Sequence, residues 1–192
     1  MEPDDFAAFE PSFPASRDQR LSRWHEALRS LTSQQVSIRP AIPTPADARR
    51  MWDLQLASEP ITVLSLETNA QSIRDRSVLF AEIEGVHVGF CVATPGANTS
   101  DPLFVQVVAV VPAVQRRGIG RKLLAAAASE AGERDIVFAT QASNSAAHAM
   151  NARFANELGA TLERVNLGVH PDHYLGVRRG QGYRAWRIRR AG

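Results

Sequence analysis

Cysteine is nearly absent from the 192-residue sequence: Cys91 is the single example, so no intramolecular disulfide can form and a reducing compartment suits the chain. Lysine is equally scarce, with Lys122 alone among 22 basic residues and arginine supplying the rest. Long apolar runs are missing as well. The longest, Leu103 to Val114, is interrupted by Gln106 and Pro112 and is too short to span a bilayer as a helix. The first residues, Met1-Glu2-Pro3-Asp4-Asp5, are acidic where a secretory leader needs positive charge before an apolar stretch, so a cytoplasmic location is expected, with no membrane association. Neither repeats nor low-complexity tracts occur.

What is present is a globular composition, 44% hydrophobic and 22% charged, which speaks against disorder and against a fibrous class. The length suits one main domain, residues 36–192, preceded by an extension over residues 1–35. In that extension Phe6, Phe9 and Phe13 are interleaved with Pro3, Pro11 and Pro14. They are expected to lie against the domain or a second copy of the chain, which makes a homodimer plausible. Ser16-Arg17-Asp18-Gln19 has the form of a capping box, and Leu21, Trp24, Leu28 and Leu31 then recur at helical spacing, so one amphipathic helix is expected there. The net charge is only +2, yet Arg178, Arg179, Arg184, Arg187, Arg189 and Arg190 crowd the C-terminal end. Their alternation with Tyr183, Trp186 and Ile188 is that of a half-buried strand, so nucleic acid is not an expected partner.

Between these ends the apolar period changes several times. Val36 to Pro40 reads as a strand, Thr44-Pro45-Ala46-Asp47 as a capped helix start, and Ser65 to Asp75 as a second helix. Val78 to Glu84 and Val86 to Ala93, parted by Gly85, read as an antiparallel hairpin. A buried strand, Leu103 to Val111, leads into a loop and a helix from Gly120 to Ala131. A short strand (Ile136 to Thr140), a helix (Asn144 to Leu158) and two strands, about Thr161 to Val169 and Gly182 to Arg189, close the chain.

The loop carries the chemistry. A strand that is apolar on both faces lies inside a sheet, and ligands bind where such strands end. The helix that follows offers unpaired amides and the positive end of its dipole, both suited to phosphate. Gly118 and Gly120 permit close approach, and Arg116, Arg117 and Arg121 add positive charge. Neither G-x-x-x-x-G-K-[ST] nor a G-x-G-x-x-G after a first strand is present, which disfavours an ATPase or a dinucleotide enzyme.

The segment Val108-Ala109-Val110-Val111-Pro112-Ala113-Val114-Gln115-Arg116-Arg117-Gly118-Ile119-Gly120-Arg121-Lys122-Leu123-Leu124 resembles the acetyl-CoA-binding motif of the GNAT superfamily of N-acetyltransferases. That motif is an apolar strand and a valine-x-proline exit, followed by [QR]-x-x-G-x-[GA] opening a helix. The resemblance implies an α/β fold with a mixed, mostly antiparallel central sheet flanked by helices. It also implies transfer of an acetyl or short acyl group from acetyl-CoA to a primary amine of a small molecule or peptide, without a metal. By the same resemblance, the backbone of Val108, Ala109 and Val110 holds the pantetheine arm, and the amides of Gln115, Arg116, Arg117, Gly118, Ile119, Gly120 and Arg121 hold the pyrophosphate. An asparagine near the start of the last helix contacts the cofactor; Asn144 fits, with Asn151 as competitor, and a helix cap is the other reading of Asn144.

The match fails at one point. Many members carry a tyrosine four residues before the glycine ending that helix; counting back from Gly159 gives Ala155. Tyr174 or Tyr183 then becomes the candidate proton donor. For the base, Gln106 stands where an acid would have been convincing, so Glu82, Glu84, His87, His170 and His173 are the candidates. A catalytically weak CoA-binding sensor or partner module is the alternative function.

Overall fold

The computed structural model describes residues 17–98 and 100–190. In chain order the elements are α1 (Arg17–Ser30), β1 (Ser37–Pro40), α2 (Pro45–Leu56), α3 (Leu66–Asp75), β2 (Ser77–Ile83), β3 (Val86–Pro95) and β4 (Leu103–Val110). There follow α4 (Ile119–Glu130), β5 (Ile136–Gln141), α5 (Ser145–Glu157), β6 (Thr161–Val165), α6 (Asp172–Leu175) and β7 (Tyr183–Arg189). The strands form one sheet in the order β1-β2-β3-β4-β5-β7-β6. Every neighbouring pair is antiparallel except β4 and β5. Phe6, Phe9, Phe13 and Ser16 lie outside the described residues.

Strands β2 and β3 are buried in unbroken runs rather than in alternation, because helices cover both faces of the sheet. Phe80, Phe90, Leu54, Ile83, Ile119 and Leu123 are among the fully buried side chains of this core. Helix α1 joins it through Trp24 and Leu28, as the stripe predicts. Trp24 Nε1 donates to the His87 carbonyl at 3.1 Å, and the two rings stack at 4.9 Å. Arg20 of the same helix pairs with Asp53 of α2, whose carboxylate is buried.

Helix α2 starts where its sequence predicts. Thr44 caps it by accepting the Asp47 N–H at 3.2 Å, with Pro45 in the first turn. The Asp47 carboxylate, 1% exposed, accepts the Ile42 N–H at 2.8 Å and two bonds from Arg39 of β1, at 2.8 and 2.9 Å. Burial alone would raise its pKa, but the bonds from Arg39, the Ile42 amide and Arg50 together hold it well below the usual carboxylate range.

The strand expected from Thr161 to Val169 stops at Val165. Asn166 turns its side chain onto the Gly168 N–H at 3.0 Å and starts a 3-10 turn, the local alternative that an Asn-x-Gly sequence offers to a strand. The chain then makes α6, which the apolar period does not announce.

Candidate active site

Strands β4 and β5 pair over only three residues, Leu103 to Val105 against Ile136 to Phe138. Beyond that point β4 continues to Val110 and β5 to Gln141 without further pairing, so the two strands part. On its other side β4 stays bonded to β3, but the register steps from Ala93 opposite Val105 to Val92 opposite Val107. Gln106 is the extra residue of that bulge, and it has no strand partner on either side. The gap is a cleft of about 370 Å³ lined on one wall by Gln106, Val107 and Val108 and on the other by Ala139, Thr140 and Gln141. The β4 edge facing β5 carries main-chain donors and acceptors with no strand opposite them, a surface that an extended amide-bearing chain can join as a strand would.

The glycine loop follows the end of β4, beyond the point where β4 and β5 part. Its two left-handed residues are Arg116, with φ 64°, and Gly118, with φ 75°. Gly118 is the N-cap of α4, and the first bond into the helix runs from the Lys122 N–H to its carbonyl at 3.1 Å. The amides of Ile119, Gly120 and Arg121 therefore have no intrahelical acceptor and face the cap. A side chain on Gly120 would place its Cβ 2.6 Å from Met150 Sδ of α5, so this glycine is also what lets the two helices approach. Gln115 Nε2 donates to the Val110 carbonyl at 3.0 Å and ties the loop to the strand end. Arg116 and Arg117 are exposed, while Arg121 pairs with Glu157 at the far end of α5.

Asn144 is a helix cap, one of its two readings. Its side-chain oxygen accepts the Ala147 N–H at 3.0 Å and caps α5, and the residue also lines the cleft, as does buried Asn151.

Another part of the cleft is walled by the α2–α3 connection, Pro60, Ile61, Thr62 and Leu64, by Leu175 at the end of α6, and by Gly176 and Arg178 after it. A buried amide pair holds the connection: Gln55 Nε2 donates to Asn69 Oδ1 at 2.9 Å, Asn69 Nδ2 returns a bond at 3.1 Å, and the Leu64 N–H joins at 3.0 Å. Among the described residues lining the cleft there is no aspartate, glutamate or histidine.

The candidate catalytic groups are scattered. Glu82 bonds Arg39 Nε at 2.8 Å and Glu84 binds the Thr32 and Ser33 amides, so both fasten the start of the sheet. His87 is the stacking partner of Trp24. Tyr174 stacks on Phe104 at 4.7 Å and His170 meets the same ring edge-on at 5.1 Å. Burial, then the charge of Arg187, lowers the His170 pKa. None of these residues is among those lining the cleft; Tyr183 is. Ala155, at the position of the family tyrosine, is buried beside Phe154. Cys91 is fully buried, and burial, with a smaller contribution from Glu130, pushes its thiol up to about 12, which removes it as an acyl carrier.

Residues 47–155 match the model of the acetyltransferase (GNAT) family, more than half of the chain. The chain belongs to the GNAT family. No curated protein matches it in sequence. Solved structures of similar fold include the diaminobutyrate acetyltransferase EctA from Paenibacillus lautus, in complex with L-2,4-diaminobutyric acid and coenzyme A. It is 24% identical over 82% of this chain and 96% of that one, with a TM-score of 0.66. The ribosomal-protein-alanine N-acetyltransferase from Brucella melitensis is 25% identical over 79% and 98% of the two chains, TM-score 0.57. The yncA protein of Salmonella typhimurium, solved with its cofactor acetyl-CoA, is 20% identical over 82% and 95%, TM-score 0.58.

As a GNAT acetyltransferase the protein uses acetyl-CoA as co-substrate. No group of metal-ligating side chains occurs among the described residues, and no helix there is long and apolar enough to cross a membrane. Sequence reasoning missed Arg76, Gln141 and Met150 as lining residues. None carries a local signal; each reaches the cleft through the packing of a different element, Arg76 after α3, Gln141 at the end of β5 and Met150 in α5.

Proposed function

We propose that this chain moves an acetyl or short acyl group from acyl-CoA directly to a primary amine, both substrates being held at once in the cleft between β4 and β5. The observation that carries the reading is the parting of β4 from β5 beyond Val105: the freed edge of β4 has main-chain groups with no strand opposite, and β4 runs on in sequence to the loop from Gln115 to Arg121 and a helix start with unpaired amides. The pyrophosphate would sit on the amides at the α4 start, the pantetheine amides along Val107 and Val108, and the thioester beside the bulge at Gln106, with Asn144 flanking the arm.

The amine nitrogen attacks the thioester carbon, the carbon–sulfur bond breaks, and the thiolate takes up a proton. Tyr183, which lines the cleft and pairs with Gln141 at the end of β5, is the proton donor in this reading. The amine's own proton leaves to water, since no carboxylate or imidazole among the described residues lines the cleft.

Thiol release from acetyl-CoA, followed over a panel of amines including amino acids and peptides, tests the reading. Acceleration by at least one amine supports it. Tight acetyl-CoA binding with no acceleration by any amine overturns it and leaves a CoA-binding module, the second reading, which the alanine at position 155 favours.

A further inference from the structure

The far end of the cleft carries positive charge without negative charge. Arg76 follows α3 and Arg178 follows α6; both line the cleft, both are exposed, and neither is ion-paired with a carboxylate among the described residues. Other arginines differ: Arg179, next to Arg178, is neutralised by Asp172 at 2.7 Å, Arg189 by Glu163 at 2.9 Å, and Arg39 by Asp47 and Glu82.

These arginines are misplaced for the cofactor phosphates. The phosphate loop follows Val110, whereas Arg76 meets β4 at Gln106, four residues earlier, or about 13 Å at the rise of a strand. Gln106 fixes the geometry there. Its side-chain oxygen accepts from Arg76 Nη1 and its Nε2 donates to the His173 carbonyl at 2.8 Å, so one carboxamide bridges the end of α3 to α6. The turn after α6 backs onto the same residue: a Cβ on Gly176, at φ 63°, would lie 3.4 Å from Gln106 Cβ. With one nitrogen spent on Gln106, the Arg76 guanidinium keeps further donors for a ligand, enough for a forked pair of bonds to a carboxylate.

Resting on the acyl-transfer reading of this cleft, we infer that the acceptor is an amine that also carries a carboxylate, an amino-acid-type molecule whose acid group is clamped by Arg76 and Arg178 while its amine faces the bulge at Gln106. A purely cationic amine would meet two like charges and no counter-charge. A carboxylate removes that conflict and supplies the partner the arginines lack.

Calorimetry of the CoA-saturated protein against the series from glycine to 6-aminohexanoate, each compared with its amide, tests the clamp without requiring turnover. At least one acid is expected to bind about tenfold or more tightly than its amide, the range for a charge-assisted bond. Arg76→Gln and Arg178→Gln are expected to bring that preference close to one while CoA affinity holds. Amides binding as well as acids, no binding by any acid, or a preference that survives both substitutions would overturn the clamp. Thiol release in the same series separates the two claims. An acid preference without turnover counts against acyl transfer and for the clamp, and turnover of amides and acids alike does the reverse.

Discussion

The two ends of the cleft are built from different materials. At the α4 end the groups proposed to meet the cofactor are main-chain amides, placed by two left-handed residues and a helix start. At the α6 end the proposed groups are side chains, Arg76, Gln106, Arg178 and Tyr183, drawn from four separate segments. A site of amides tolerates many side-chain changes and fails where the backbone path is altered. A site of side chains fails one residue at a time, and only as well as the scaffold beneath it holds still.

The largest expected effect bears on that scaffold. Met51 and Gln55 of α2 line the cleft, and the first turn of the helix is pinned by Asp47. Asp47→Asn leaves Arg39 and the Ile42 amide under-satisfied in a buried setting and is expected to cost about 3 kcal/mol of stability. The folded pKa of Asp47 lies below its ordinary value of 3.8, so its contribution is fully present above that value and fades as pH falls through the folded pKa. Wild-type stability from urea unfolding should therefore decline below about pH 4, and the variant should show a smaller share of that decline. Parallel acid profiles would refute this.

Next in size is Gly118→Val. A β-branched residue at φ 75° costs on the order of 2 kcal/mol in backbone strain, and its Cβ sits where phosphate approaches, so acetyl-CoA affinity should fall about a hundredfold. Among the described residues Arg121 Nη2, at 3.4 Å, is the neighbour near that Cβ, so no clash adds to the backbone strain and the thermal midpoint should fall by about 4–8 °C with the fold retained. Unchanged affinity by calorimetry would remove the loop from the cofactor site.

Tyr183→Phe probes the other end. Loss of a proton donor that water can partly replace is expected to lower kcat by roughly thirtyfold, about 2 kcal/mol, with KM for acetyl-CoA nearly constant. The residue carrying the same change at position 174, stacked on Phe104 away from the cleft lining, should not show that split. If Tyr174→Phe depresses kcat more than Tyr183→Phe, the donor is assigned to the wrong tyrosine.

The same contrast explains what could be read without coordinates. The α4 end is continuous in sequence: Pro112, Gln115, Gly118 and Gly120 lie within nine residues, and each speaks through local geometry. The caps at Thr44 and Asn144 are local too, and helices begin after both. Gln106 was legible only as an absent acid. Its bulge depends on β3 register, and its bridge reaches 30 residues back to Arg76 and 67 forward to His173. Arg178 sat within a basic run that alternation assigns to a strand face, whereas β7 begins only at Tyr183 and Arg178 precedes it in a turn. Glu82 and His87 looked free because the partners that occupy them, Arg39 and Trp24, are 43 and 63 residues away.

The smallest effect sharpens the division of labour at the phosphate end itself. Arg116 adopts φ 64° and its side chain is exposed, so it serves the loop chiefly through its backbone. Arg116→Gly keeps the left-handed turn and deletes the charge; acetyl-CoA affinity should drop only a few-fold at low salt, an exposed ion contact being worth about 0.5–1 kcal/mol. The deficit should shrink further as salt is raised, because an exposed contact is screened. Arg116→Val removes the same charge but also strains the turn, and should bind more weakly than the glycine variant at every salt concentration. Equal losses from the two substitutions would mean that charge, not the path of the main chain, holds the phosphates.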